Sequence, residues 1–270
     1  MSFPRVIVTR PERDAARWVQ ALQQRGLRAE ALPLIDIRAL PDSPAVQQAW
    51  RALDSYAALM FVSGNAVDGF FASNRPLAPG QQGIIAINSI ANEGPRFMAP
   101  GPGTVAALAA AGVPAARIDA PAPDAVQFDS EALWSLVGQR DWQGRRVLIV
   151  RGQSAAAQAA GGANGRDWLA QQWRVAGAQV EFLVVYQRSA PVFDAAQRQT
   201  IEQAARDGSV WLFSSSEAVA HLPPQDWSQA RAVATHPRIA DAARAAGWGV
   251  VAESRPALED VLASIESMQP

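Results

Sequence analysis

The chain has no cysteine. That single absence excludes disulfides, thiolate nucleophiles, cysteine-ligated zinc and iron–sulfur clusters, and it fits a reducing compartment. Histidine is nearly missing too: His221 and His236 are the only two in 270 residues. A histidine-rich metal site is thereby excluded, and a Ser-His-Asp triad would have to use one of this pair. Neither sign of charge dominates. There are 24 basic and 25 acidic residues for a net charge of −1, with no block of five like charges. The electrostatic footprint of a nucleic-acid binder is therefore missing. No apolar run of 18 residues escapes interruption by Gly, Pro or charge, so no membrane span is expected. No signal-peptide pattern precedes the first strand, and the plain expectation is a soluble cytoplasmic protein.

What is present is an ordinary globular composition, 49% hydrophobic, in a chain long enough for two modest domains with separate cores. The chain also says nearly the same thing twice. Val6-Ile7-Val8-Thr9-Arg10 returns as Leu148-Ile149-Val150-Arg151. Phe61-Val62-Ser63-Gly64-Asn65-Ala66-Val67 returns as Phe213-Ser214-Ser215-Ser216-Glu217-Ala218-Val219. The stretch from Ala99 to Val113 returns from Ala234 to Trp248, with Pro102 over Pro237 and Gly112 over Gly247. The order is kept. A repeated plan of this length predicts two similar domains, with a cleft between them as the place for a small ligand.

The local pattern alternates strand and helix throughout. Arg5–Thr9 reads as a doubly buried strand, Pro11 as a helix opener, Glu12–Arg25 as a helix closed by Gly26, and Ala29–Ile37 as the next strand. Pro44–Leu53, Ala66–Phe71, Thr104–Ala111 and Ser130–Gly138 read as helices, and Ala57–Val62 and Pro95–Ala99 as strands. In the second half, strands are expected at Arg146–Val150, Val180–Tyr186, Val210–Phe213, Ala230–Ala234 and Val250–Ala252. Helices are expected at Arg166–Ala176, Phe193–Asp207, Ser216–Leu222, Pro237–Ala246 and Pro256–Ser267. The fold class is α/β with parallel sheets. The segment Ser154–Asn164 accounts for the longer second copy and reads as a surface loop; Gln81–Phe97 has little pattern.

Six turns between a strand and the helix after it are rich in Gly, Ser, Thr and Asn. They are Thr9-Arg10-Pro11, Ser63-Gly64-Asn65, Gly101-Pro102-Gly103-Thr104, Arg151-Gly152-Gln153, Ser214-Ser215-Ser216 and Thr235-His236-Pro237. Open parallel sheets bind ligands outside the carboxyl ends of their strands, where free N–H groups of helix N-termini favour anions. Such turns suit a ligand with several carboxylates or phosphates. The same residues are also what any helix N-cap selects. No dinucleotide fingerprint or Walker motif is present, since Gly101-Pro102-Gly103 lacks the third glycine. Tyr186, one of two tyrosines, ends a strand beside Gln187 and Arg188. It reads either as a proton donor or as an amphipathic hinge residue with a satisfied hydroxyl. Tyr56 reads as structural. Arg10 and Arg151 read as anion contacts or as salt-bridge partners, His221 as a surface residue, and His236 as a cap or a ligand contact.

These pieces together resemble the uroporphyrinogen-III synthase family. The matching stretches are VIVTRPERDAARWVQALQQRG at 6–26, FVSGNAVDGFF at 61–71, GPGTVAALAAAGV at 101–113, VLIVRG at 147–152, VVYQR at 184–188, FSSSEAVAHL at 213–222 and AVATHPRIADAARAAGWGVV at 232–251. The resemblance implies two α/β domains joined by two linker strands, one domain discontinuous: residues 1–36 with 188–270, and residues 37–187. It implies cyclisation of hydroxymethylbilane, a linear tetrapyrrole with eight carboxylates, to uroporphyrinogen III, with ring D inverted and water lost. It implies a monomer that needs neither metal nor organic cofactor. Carried over by motif, Tyr186 is the donor to the departing hydroxyl. Arg10, Ser63, Gly101, Thr104, Arg151, Ser214, Ser215 and Thr235 hold substrate carboxylates. Two other readings use the same scaffold: a non-catalytic receptor for a polycarboxylate small molecule, and a degenerate interaction module.

Overall fold

A computed structural model describes residues 4–40, 43–72, 94–125, 127–154 and 165–268. They divide into two compact units, Met1–Ile37 with Ser189–Pro270 and Arg38–Arg188. Most of the Ser154–Asn164 segment, and Gln81–Phe97 up to residue 93, lie outside the described residues.

Unit 1 is a five-stranded sheet in the order β11-β10-β9-β1-β2. Its strands are β1 (Arg5–Val8), β2 (Arg28–Ala31), β9 (Val210–Phe213), β10 (Arg231–Ala234) and β11 (Val250–Glu253). Every ladder in it is parallel. Alternation along the strands sends Val6, Val8, Val210, Leu212 and Val233 to one face. There they meet Ala15 and Leu22 of α1 (Glu12–Gln24) and Val261, Leu262 and Ile265 of α10 (Leu258–Ser267). Ile7, Trp211, Phe213, Ala232 and Ala234 go to the other face. They pack on α7 (Ala195–Ala204), α8 (Ser216–Ala220) and α9 (Pro237–Ala245). That face carries an aromatic cluster in which Trp227 stacks on Trp248 at 4.7 Å and Trp211 meets both edge-on. Helix α7 begins with a capping box: the Asp194 carboxylate accepts from the Gln197 N–H, and the Gln197 side chain accepts from the Asp194 N–H. Asp194→Ala removes it and should cost about 1 kcal/mol, read as a lowered denaturation midpoint at unchanged slope.

Unit 2 is a six-stranded sheet in the order β3-β8-β7-β4-β5-β6. The strands are β3 (Asp36–Ala39), β4 (Ala58–Phe61), β5 (Arg96–Met98), β6 (Ile118–Asp119), β7 (Arg146–Ser154) and β8 (Gln179–Ser189). The ladders β4–β5, β4–β7, β5–β6 and β7–β8 are parallel. Its helices are α2 (Pro44–Arg51), α3 (Gly64–Ala72), α4 (Pro102–Ala110), α5 (Ser130–Val137) and α6 (Gly165–Val175). Trp50 of α2 stacks on Phe70 of α3 at 4.5 Å, and Phe61, Phe71 and Phe97 complete that core. A second aromatic group sets Trp134 and Trp142 edge-on to the buried Trp173.

Numbered in its own chain order, unit 1 has the doubly wound strand order 2-1-3-4-5. Unit 2 has the same order if counting starts at β7, then β8, β4, β5 and β6, with β3 added beside β8. One unit is thus a circular permutation of the other. The sequence copies are interleaved: the front of the first copy pairs with the back of the second, and the remaining pieces pair with each other. The repeat survives in fine detail. Gly26 and its counterpart Gly177 have φ of +83° and +87°, and Gly112 and Gly247 have +89° and +88°. Each closes a helix by the same pair of backbone bonds, such as Gly26 N–H to Gln23 O and Leu27 N–H to Leu22 O. That turn needs a residue at ease in the left-handed region.

Three expectations are corrected. The strand expected over Ala29–Ile37 is two, β2 and β3, in different sheets, because Pro33 offers no N–H to continue a ladder. The stretch Arg151-Gly152-Gln153 is no turn; it lies inside β7, whose pairing with β8 runs on through Ser154 after a bulge between Arg151 and Gly152. His221 is half-buried rather than a surface residue, and its Nδ1 donates to the Leu34 carbonyl at 2.7 Å.

Candidate functional site

In a sheet ordered 2-1-3-4-5, the crossover direction reverses between the first and third strands, and the crevice at their carboxyl ends is the ligand position. In unit 1 those strands are β1 and β9. Thr9 and Arg10 follow β1, Ser214 and Ser215 follow β9, and Thr235 and His236 follow the neighbouring β10. The Thr9 hydroxyl donates to Leu212 O at 2.7 Å and ties the two switch-point strands together. Ser215 caps α8 by accepting from the Glu217 N–H. His236 caps α9 by accepting from the Arg238 N–H at 3.1 Å. Thr235 is buried, its N–H donating to Phe213 O.

Arg10 carries the unusual electrostatics of this unit. Its guanidinium lies over the Trp18 ring, 4.3 Å from the centroid. Its Nε is buried and has no hydrogen-bond partner. Burial lowers its pKa to about 10, against the opposing pull of Asp14 and with some help from Arg17. The side chain stays cationic at neutral pH, with its Nε unsatisfied.

In unit 2 the switch-point strands are β7 and β4. Ser63 follows β4, and its hydroxyl accepts from the Ala66 N–H in the first turn of α3. The Tyr186 hydroxyl lies 3.0 Å from the same Ser63 Oγ. Tyr186 stands on β8 directly opposite Gly152 of β7 and is buried. Gly101 is the N-cap of α4, and Thr104 is buried in that helix's first turn rather than in the turn before it. Arg151 lies over the Phe182 ring at 4.1 Å. The other tyrosine, Tyr56, donates to Glu181 at 3.0 Å beneath Arg146. Burial and then the Glu181 bond push its pKa up to about 12, which is a structural role.

Ser63 and Tyr186 are therefore brought into contact, and five of the six expected turns are turns. Sequence reasoning passed over two things. Gly152 sits inside a strand, where an isolated glycine marks a bulge or a close approach, not a turn. All 24 basic residues are arginine, and a planar guanidinium fork suits paired carboxylate contacts better than an ammonium does. Among the described residues no cluster of three or more His, Asp or Glu able to hold a metal is found. No helix of the described residues is long and apolar enough to cross a membrane.

The uroporphyrinogen-III synthase HemD family model matches residues 16–263. The chain belongs to this family. A uroporphyrinogen-III synthase of Salmonella typhimurium is 27% identical over 251 residues, covering 90% of this chain and 92% of the relative. The fold is that of solved family structures. A mutant uroporphyrinogen III synthase of Thermus thermophilus aligns with TM-score 0.58 at 16% identity, over 98% of each chain. The Helicobacter pylori uroporphyrinogen-III synthetase aligns with TM-score 0.55 at 14% identity, over 98% of this chain and all of its own.

Proposed function

We propose that the chain cyclises hydroxymethylbilane to uroporphyrinogen III, inverting ring D and releasing water, as a lyase of tetrapyrrole and haem biosynthesis. The family match across residues 16–263 carries this reading. The two units act as the two domains of a cytoplasmic monomer. Arg10, Ser214, Ser215 and Thr235 in unit 1, and Ser63, Gly101, Thr104 and Arg151 in unit 2, hold the substrate's carboxylates. N–H groups, hydroxyls and guanidinium groups at strand ends are the right chemistry for that task.

The substrate closes without help to the unrearranged isomer, so the protein's work is to hold the end rings in the geometry that leads to inversion. Departure of the terminal hydroxyl as water needs a proton. Tyr186 donates it as the C–O bond breaks, and Ser63 holds the phenol in place at 3.0 Å. The reaction itself needs no metal or organic cofactor.

The test couples the protein to a porphobilinogen deaminase that generates hydroxymethylbilane in place, followed by oxidation and separation of porphyrin isomers. Isomer III in excess over isomer I is expected. Isomer I alone from a folded sample leaves a polycarboxylate-binding protein instead. Because orientation carries most of the rate, Tyr186→Phe should lose part of the activity and keep product identity. An inactive Tyr186→Phe of unchanged stability would make the phenol the principal catalyst, contrary to this account.

A further inference from the structure

Two glycines lie against β8 at consecutive residues, Gly152 against the Tyr186 ring and Gly69 against Val185, and each occupies a place where a side chain would not fit. A Cβ on Gly152 would stand 2.1 Å from Cε2 and 2.2 Å from Cζ of Tyr186. Those are ring carbons next to the hydroxyl, on a buried side chain that cannot swing away freely. The ring therefore lies flat across the backbone of β7 at the point where β7 bulges. On α3, a Cβ on Gly69 would stand 2.9 Å from Val185 Cγ2 and 3.0 Å from Val185 O. Gly69 thus lets α3 seat directly on the residue before Tyr186. The amino end of that helix is where Ser63 accepts from Ala66 and meets the phenol. The phenol is thus held by its ring against Gly152 and by its hydroxyl against Ser63.

We propose that Gly152 is a positioning residue for Tyr186: its missing side chain is the space that lets the phenol lie on β7 and reach Ser63. The proposal rests on the reading of Tyr186 as proton donor. With alanine at 152 the ring has to lift off the strand by more than an ångström to regain ordinary van der Waals distance. Its hydroxyl then leaves Ser63. Misplacement of that size is enough to suppress a proton transfer. Gly152 does not touch the reacting atoms, and all of its effect passes through the ring of Tyr186.

The chain's two tyrosines make this directly observable. Protein labelled with 13C at tyrosine Cζ gives two resonances, assigned with Tyr56→Phe. In Gly152→Ala the Tyr186 resonance should move and that of Tyr56 should not. The kcat for isomer III should fall by the same factor as in Tyr186→Phe, with KM little changed. Gly152→Ala/Tyr186→Ala, in which the ring is gone and the space restored, should be as stable and as active as Tyr186→Ala alone. This double variant also serves if Gly152→Ala does not fold. A double variant less stable or slower than Tyr186→Ala would overturn the proposal, since Gly152 would then act on something other than the ring. An unmoved Tyr186 resonance in folded Gly152→Ala would overturn it as well. A fully active Tyr186→Phe beside a moved resonance would instead sink the proton-donor reading and leave the packing relation standing.

Discussion

Asp119→Ala should lower the stability of the protein by about 3 kcal/mol, the lower end of what breaking a buried ion pair costs. Asp119 is 6% exposed on the edge strand β6 and accepts from two arginines at once. Arg96 Nε and Nη2 donate at 3.0 and 2.5 Å, and Arg140 Nη1 and Nη2 at 2.6 and 2.9 Å. Arg96 comes from the start of β5 and Arg140 from just beyond α5, so the carboxylate joins three parts of the sheet edge. Both arginines are about a third exposed, at 34% and 36%, and water relieves them when the partner goes. That places the cost at the low end.

The same group sets an acid limit. Burial works to raise the Asp119 pKa, but the bonds from Arg140 and Arg96 outweigh it and hold it down at about 2, against an ordinary 3.8. A carboxylate with a depressed folded pKa contributes its stability above the unfolded value and loses it as pH falls through the folded one. The gap between wild type and Asp119→Ala should therefore be full above about pH 4 and close toward pH 2. Urea titrations of both proteins across that range measure it, and a gap independent of pH would show that the arginines do not depend on the carboxylate's charge.

Arg10→Met should raise KM for hydroxymethylbilane by roughly ten- to a hundred-fold, the worth of one or two hydrogen bonds to a charged carboxylate, with thermal stability equal to wild type or above it. The sign of the stability change is the informative part. A cation whose Nε is buried without a partner, and whose pKa is drawn down to about 10 by burial, weighs on the folded state. Methionine keeps the apolar contact with Trp18 and removes that burden. An arginine kept for packing alone would behave the opposite way: Tm would drop and KM would hold. Steady-state kinetics and a melting curve on one preparation separate the two.

The α/β alternation was legible because parallel strands buried on both faces read as unbroken apolar runs, as in Val6-Ile7-Val8 and Val147-Leu148-Ile149-Val150. Gly26 and Gly177 announced their helix ends because few other residues tolerate their backbone geometry. Local rules stopped where the decisive partner is distant. Nothing near Pro33 tells which sheet the next residues will join. Arg151-Gly152 looks like a turn until Tyr186, thirty-four positions away in sequence, is seen lying on the glycine. Asp119 reads as an ordinary acid on a short strand until Arg96 and Arg140 close on it. Among the candidate residues, Ser63 could be named from its turn and Tyr186 from its strand, although β8 runs on to Ser189 instead of ending at the tyrosine; their meeting is a property of the pairing of β4, β7 and β8.

The interleaving of the two units has a consequence in time. A ribosome finishes every residue of unit 2 by Arg188, so that unit can close while the rest of the chain is still being made. By then β1, α1 and β2 have long since emerged, yet β1 has no neighbour on its other side until β9 appears at Val210–Phe213. At ordinary elongation rates of about 5–20 residues per second, this apolar strand waits roughly ten seconds or longer for its partner. The earliest strand to be synthesised is thus among the last to be covered, and during that interval its exposed edge and its two apolar faces, Val6 and Val8 on one and Ile7 on the other, are the part of the nascent protein most in need of a chaperone.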